Sequence, residues 1–153
     1  MHAARWPARG ASPIPASDQA VTSRSRYSTA YEPPAPILLA RVAPPVGGHG
    51  VAVLGVVDTG ADLTVIPESV AKELGLPLVS RIRVVGVTGA SAAAPVRAAA
   101  IDVAGSRHLV EVACLGDDAI LGRDLLNRMV IRLDGPRQSL EIGARGAKRR
   151  KKR

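Results

Sequence analysis

The sequence predicts an all-β protein with one folded domain. Short apolar runs rich in Val, Ile and Ala alternate with turn signals containing Gly, Pro and Asp, a spacing typical of strands. A length of 153 residues suits a single domain. Hydrophobic residues make up 46% of the chain, but aromatic residues only 2%, and Phe is absent. We therefore expect a core of aliphatic side chains packed between strands.

The positive charge of the chain is concentrated at its two ends. The formal net charge is +8, yet residues 36–143 contain ten Lys and Arg against eleven Asp and Glu, a net charge of −1. Residues 145–153 contain seven basic residues and no acid. We predict a disordered Ala/Ser/Pro/Arg-rich arm at residues 1–35, a folded domain at 36–143 and a basic disordered tail at 144–153.

The sequence contains no sign of membrane insertion or secretion. No apolar run reaches the ~18 residues that suggest a membrane-spanning helix. The N-terminus lacks the apolar segment of a secretory signal. The single cysteine, Cys114, cannot form an internal disulfide, and its apolar neighbours indicate a buried small hydrophobe. We expect a cytoplasmic protein that needs neither a cofactor nor a metal ion.

The first half of the chain is predicted to form three strands and a short helix. The strands are predicted at residues 37–43, 51–57 and 63–66. The second of these is a β-branched run that ends at Asp58, where Gly60 suits a tight turn. Pro67 at the first helical position and Gly75 at the stop predict a helix between them.

The second half is predicted to form two hairpins, a short helix and a terminal pair of strands. The predicted strands cover residues 81–85, 95–100, 100–103, 108–115, 129–133 and 139–142, and the helix covers 125–129. A small, Gly-containing segment, 86–91, forms the tip of the first hairpin. Asp117 and Asp118 lie in the turn before Ile120, where the simplest reading is a solvated turn.

Two motifs stand out in this pattern. Asp-Thr-Gly-Ala-Asp begins at Asp58 and follows a buried strand, and Ile-Leu-Gly-Arg-Asp-Leu-Leu begins at Ile120, about sixty residues later. Asp-Thr-Gly by itself could be an ordinary turn. Together, in this order and spacing, the motifs resemble those of the retroviral-type (retropepsin-like) aspartic proteases, in the form of a bacterial-type single-domain member. The resemblance covers residues 37–142 and implies a single-lobed closed β-barrel that acts as a homodimer.

The resemblance also implies roles for individual residues. Asp58 would be the catalytic acid, supported by Thr59, Gly60 and an ion pair between Asp62 and Arg123 that we expect to be partly buried. The hairpin between the motifs would be a flap over the substrate, although an ordinary surface hairpin remains open. The residues that would contact a peptide substrate are Val56, Ala61, Val85, Gly86, Val87, Thr88, Gly89 and Ile120.

One Asp-Thr-Gly per chain has a mechanistic consequence. Peptide hydrolysis by carboxyl groups, without a metal ion, needs two of them on one water, one acting as base and the other as acid. The chain offers one such motif, so a symmetric dimer would supply the second acid. The predicted function is an aspartic endopeptidase.

Other functions remain open from the sequence. A catalytically inactive peptide-binding or scaffold module could use the same fold. The basic tail could bind polyanions weakly and in a salt-dependent way, although no aromatic residues interleave it. An actin-like ATPase is the least favoured alternative, because the chain is too short for that two-lobed fold and no Gly-rich β/α pattern follows the Asp-Thr-Gly turn.

Overall fold

The computed structural model describes residues 21–143. It contains ten strands and two helices in that range. In chain order these are β1 (Val21–Arg26), β2 (Ile37–Ala43), β3 (Val51–Val57), β4 (Val65–Ile66), α1 (Glu68–Glu73), β5 (Leu78–Val85), β6 (Ser91–Val103), β7 (Ser106–Cys114), β8 (Ala119–Leu121), α2 (Arg123–Leu126), β9 (Val130–Asp134) and β10 (Ser139–Gly143). The prediction of a mostly β protein with one or two short helices is confirmed.

Six of the strands close into a barrel. Their order is β2-β3-β8-β4-β7-β6, and β6 pairs back onto β2 from Ala40↔Val103 to Ala43↔Ala100. The barrel interior is filled by aliphatic side chains, as the composition predicted. Fully buried members include Val42, Ile101, Val112, Leu121 and Leu125. This is the predicted closed, single-lobed architecture of the retropepsin-like fold.

Two strand pairings bring distant parts of the sequence to one edge of the sheet. β3 runs parallel to β8, with Val57 opposite Leu121, and β4 lies antiparallel to β8 through Val65↔Ile120. Because parallel strands end at the same edge, Asp58 after β3 and Gly122 after β8 emerge side by side. The barrel topology therefore joins the two sequence motifs.

The predicted helix before residue 75 is present as α1. Ala71 and Leu74 are buried against the core, and Val70 packs on it in a partly buried position. Gly75 ends the helix with a φ of +57°, a conformation that favours glycine. Pro67 occupies the N-cap position rather than the first helical position. Neither helix in residues 21–143 is long and apolar enough to cross a membrane.

Several elements have bounds other than those predicted: β5, β7, β9 and β10 differ by one to three residues at an end, and β6 is one continuous strand where two, 95–100 and 100–103, were predicted. Two further differences lie at the motifs. β4 is limited to Val65–Ile66 instead of 63–66. The carbonyls of Ala61 and Asp62 accept hydrogen bonds from the start of α2, and regular strand pairing begins only after the Thr64 carbonyl has accepted from Ala113 of β7. α2 occupies Arg123–Leu126 instead of 125–129, since the amides of Leu125 and Leu126 already bond to the Gly122 carbonyl. The helix therefore begins immediately after the motif glycine.

A separate three-stranded sheet has the order β1-β10-β9. Val21–Arg26 fall within the arm predicted to be disordered, but they form β1. This strand pairs with β10, with Ser25 opposite Leu140. The strand escapes prediction because its sequence is largely polar and its pairing partner lies more than a hundred residues away. The rest of the predicted arm before residue 21, and the basic tail at 144–153, lie outside the described residues.

Candidate active site

Asp58 lies at the C-terminal end of β3, where the chain turns away from the sheet. Its amide donates to the Leu121 carbonyl at 3.1 Å, and its carbonyl accepts from Ala61 at 3.3 Å. The amide of Gly60 donates to Oδ1 of Asp58 at 2.8 Å. Within residues 21–143, no Lys, Arg or His comes within ion-pair distance of Asp58. The half-buried carboxylate is therefore fixed by the turn and is not neutralised by a cation from the described chain.

Arg123 connects the second motif to the Asp-Thr-Gly turn. Its Nη1 donates to the Thr59 carbonyl at 3.0 Å, its Nη2 forms an ion pair with Asp62, and its own amide donates to the Ala61 carbonyl at 2.9 Å. The pair was expected to be partly buried, yet the Asp62 side chain is 81% exposed and that of Arg123 46%. The side chains lie outside the barrel wall, where water screens them. Exposed ion pairs contribute little, so the hydrogen bonds to the backbone do most to hold the turn.

A buried contact that the sequence did not single out joins the same two segments. Thr64 is fully buried, and its Oγ1 donates to Oδ1 of Asp124 at 2.8 Å. The same hydroxyl accepts a hydrogen bond from the Gly122 amide at 3.1 Å, and the amide of Leu125 donates to Asp124 Oδ1 at 2.9 Å. Oδ2 of Asp124 is buried and has no hydrogen-bond partner among the described residues. The one feature of the sequence that could have indicated this contact is the polar Thr64 inside the otherwise apolar run 63–66.

Close backbone packing explains the glycine of the second motif. A Cβ atom at Gly122 would overlap the carbonyl of Leu63 and lie 2.9 Å from the backbone nitrogen of Thr64. Real Cβ atoms do not approach backbone this closely, and neither neighbour is a flexible side-chain end. Gly122 is therefore required for the two motif segments to cross.

Asp58 opens onto a cleft with a volume of about 600 Å³. Its walls come from the Asp-Thr-Gly turn, the tip of the β5–β6 hairpin and the turn between β7 and β8. Five of the eight predicted substrate-contacting residues line it, namely Ala61, Val85, Gly86, Val87 and Ile120. Three do not line it: Val56, Thr88 and Gly89. Val56 alternates with the inward-facing Val57 and so lies on the outer face of the sheet, as its register partner Ile120 does, but only Ile120 reaches the cleft.

The β5–β6 hairpin has the form predicted for it. The strands pair from Leu78↔Arg97 to Val85↔Ser91, and the tip closes through hydrogen bonds from the Gly86 amide to the Ala90 carbonyl and from Gly89 to Gly86. The Thr88–Gly89 turn lies beyond the cleft wall, which explains why these two residues do not line it. Val87 is fully exposed at the tip. An apolar side chain in that position is available to cover a bound ligand.

Several residues of the cleft wall were missed by the sequence analysis. The apolar ones belong to predicted strands, but the sequence pattern did not show that their side chains face the cleft. They are Leu63, Val65, Ile82, Val84, Ala113 and Leu115. Asp117 and Asp118 were read as a solvated turn, and both are indeed exposed, but they also belong to this wall.

Residues 21–143 contain no cluster of three or more His, Cys, Asp or Glu side chains that could hold a metal ion.

The sequence of this region matches a known protein family. A family model described as aspartyl protease covers residues 45–125, which is more than half of the chain and includes both Asp58 and Arg123. The chain therefore belongs to this retropepsin-like aspartyl protease family. A search of curated proteins finds no match to the chain.

Proposed function

We propose that the protein is an aspartic endopeptidase in which Asp58 and the Asp58 of a second copy activate one water molecule. Membership of the aspartyl protease family supports the general reaction. The observation that carries the proposal is the position of Asp58, which is fixed by the Gly60 amide at the mouth of a cleft and has no cation beside it in the described chain.

The mechanism needs a second carboxyl group close to the first. An ionised carboxylate takes a proton from water, while a protonated one donates a hydrogen bond to the peptide carbonyl and then its proton. Two carboxyl groups about 3 Å apart cannot both ionise, so they share one proton and titrate as a pair, as is established for aspartic proteases. A two-fold axis between two copies of Asp58 would create this pair from one motif per chain.

The residues around Asp58 would then have supporting roles. Thr59 would lie next to the axis and hydrogen-bond across it, and Gly60 would leave its backbone open to an extended substrate. Arg123 would hold the turn through the Thr59 carbonyl and Asp62. The hairpin tip with Val85 and Val87 would close over the bound peptide, which enters between the tip and the Asp-Thr-Gly turn.

Substitution of Asp58 by Asn tests the proposal. Asn keeps the size of the side chain but cannot act as a general base, so peptide cleavage should fall by about 10²–10⁴-fold. Asp134→Asn is the matched control, because Asp134 is paired with Arg137 and lies outside the cleft. The reference is the rate at which wild type and the control variant cleave an unstructured protein. Pepstatin should inhibit this cleavage.

The outcome also separates the catalytic role from simple peptide binding. If the Asp58→Asn protein cleaves as fast as wild type, the proposed mechanism is wrong. If wild type binds peptides but cleaves none over a wide pH range, the protein is a peptide-binding module of the same fold instead.

A further inference from the structure

The turn between β7 and β8 places two carboxylates on the wall of the cleft. β7 ends at Cys114 and β8 begins at Ala119, so Asp117 and Asp118 are carried on a short connection held by barrel strands at both ends. Gly116 adopts a φ of +64°, and its carbonyl accepts a hydrogen bond from the Glu68 amide at 3.4 Å. The connection is therefore fixed to the domain at both ends and at Gly116.

Neither carboxylate is neutralised by the described chain. Asp62, Asp102 and Asp134 each form an ion pair with an arginine, whereas Asp117 and Asp118 form none within residues 21–143. The cleft wall includes a single basic residue, Arg83, whose Nη1 donates to the hydroxyl of Ser91. Of the four acidic residues in the wall, Asp62 is paired with Arg123, which leaves Asp58, Asp117 and Asp118 alongside that one arginine. A cationic group entering the cleft would therefore be attracted and an anionic one repelled.

The rest of the wall suits the stem of a long basic side chain. Leu115 and Ile120 flank the two aspartates in sequence and line the same cleft, together with Val65. Lys and Arg side chains lie with their aliphatic stems along apolar surface and keep the charged end in a polar or wet environment. A basic side chain could therefore rest on Leu115 and Ile120 while its charged end reaches Asp117 or Asp118.

We propose that this cleft selects peptides with a Lys or Arg side chain near the bond to be cut, and that Asp117 and Asp118 determine this selectivity. The proposal rests on the endopeptidase function above and adds the substrate class. It draws on the concave site next to Asp58 and on the apolar stem-binding wall as well as on the two charges. An acidic substrate residue at the same position would be disfavoured by like-charge repulsion.

The test uses peptides that are identical except for one residue. That residue is Lys, Leu or Glu, and it is moved through each of the positions around a known cleavage site. The Asp117→Asn/Asp118→Asn double variant is compared with wild type and with a Glu73→Gln/Glu111→Gln control. The control removes two exposed carboxylates that do not line the cleft and are in no ion pair within residues 21–143.

In wild type, Lys should be preferred over Glu by roughly tenfold in kcat/KM at the selected position, since exposed charge pairs contribute up to about fivefold each. A symmetric dimer carries the turn twice, so the preference should appear at two positions on opposite sides of the cut. The double variant should lose most of the Lys-to-Glu ratio, while the control keeps it. Raising the salt concentration should reduce the ratio in wild type.

Two results would overturn the inference: no position favouring Lys over Glu in wild type, or a ratio that is unchanged in the double variant. Fluorescence anisotropy with the same peptides and the Asp58→Asn protein separates this from failure of the proposed chemistry. If no peptide is cut but Lys peptides bind better than Glu peptides through Asp117 and Asp118, the selectivity stands and the endopeptidase assignment fails. If neutral peptides are cut without any charge preference, the endopeptidase assignment stands and the selectivity fails.

Discussion

The hydroxyl of Thr64 donates a hydrogen bond to Asp124 in the interior of the protein, with 2.8 Å between the two oxygens. These residues are sixty positions apart in the sequence. Thr64 follows the Asp-Thr-Gly turn, and Asp124 belongs to the helix of the second motif. The contact is buried, unlike the Asp62–Arg123 pair at the surface. It is therefore a side-chain link between the two motif segments that is shielded from water, in addition to the hydrogen bonds of Arg123 and of the backbone.

Replacement of Thr64 by Val should destabilise the protein. Val keeps the shape but removes the hydroxyl, which leaves the buried Gly122 amide without its acceptor and removes one of the two hydrogen bonds donated to Oδ1 of Asp124. The expected loss is about 1–3 kcal/mol in the free energy of unfolding. Urea denaturation measures it. Thr64→Ser keeps the hydroxyl and should cost less than Val, so a Ser variant that is less stable than the Val variant would contradict the role of the hydrogen bonds.

Replacement of Gly122 by Ala should be more damaging than the same change in a turn. The new methyl group would collide with the backbone of Leu63 and Thr64, which cannot move aside without displacing the Asp-Thr-Gly turn. We expect a loss of about 2 kcal/mol or more in the free energy of unfolding. Gly135→Ala is the control, because no atom lies within 4 Å of its Cβ position. Equal midpoints of thermal unfolding for the two variants would refute the packing argument.

Replacement of Arg123 by Lys should reduce activity more than stability. Lys retains the charge but lacks the planar fork that reaches the Thr59 carbonyl and Asp62 together. Because the side chains are exposed, the free energy of unfolding should fall by less than about 1 kcal/mol. Peptide cleavage should fall by more than that energy predicts, since the turn carrying Asp58 loses its support. Arg137→Lys, at an exposed pair outside the cleft, should leave both quantities close to wild type.

The buried thiol of Cys114 should make the protein less stable at alkaline pH. Burial raises the pKa of this thiol above its ordinary value, with a smaller opposing effect of Arg97. The native state therefore holds the proton more tightly than the unfolded state. This contribution is complete below the unfolded thiol pKa of about 8.5 and is lost as the pH rises through the higher native value.

The measurement is urea denaturation of wild type and Cys114→Ala at pH 7 and pH 10. Wild type should lose more stability between the two pH values than the variant, in which no thiol titrates. The same loss in both proteins would show that the alkaline effect comes from other groups. A thiol reagent should also react with wild type at neutral pH only after unfolding, because Cys114 is 1% exposed.

Local patterns in the sequence predict much of the fold. The β-branched run before Asp58 and the Gly-containing hairpin tip were assigned correctly because their signals lie within a few residues. β1 was missed because its polar sequence carries little signal and its partner β10 is distant. The start of α2 was misplaced because backbone contacts with the Asp-Thr-Gly segment, and not local propensity, determine it.

The candidate site shows the same division between local and long-range information. The two motifs pointed to Asp58 and Arg123, but not to the exposure of the Asp62–Arg123 pair, which depends on how the barrel wall is placed. Asp117 and Asp118 look like an ordinary turn in the sequence. Only the barrel topology brings that turn to the cleft, because β8 lies between β3 and β4.

The most direct test of the account is to measure molecular mass and specific activity together as the protein is diluted. If each chain supplies one of the two catalytic carboxyl groups, specific activity should fall over the same concentration range in which sedimentation shows the dimer dissociating. A substrate or inhibitor that binds across both chains should move both curves to lower concentration. A monomer that retains full specific activity would contradict the account.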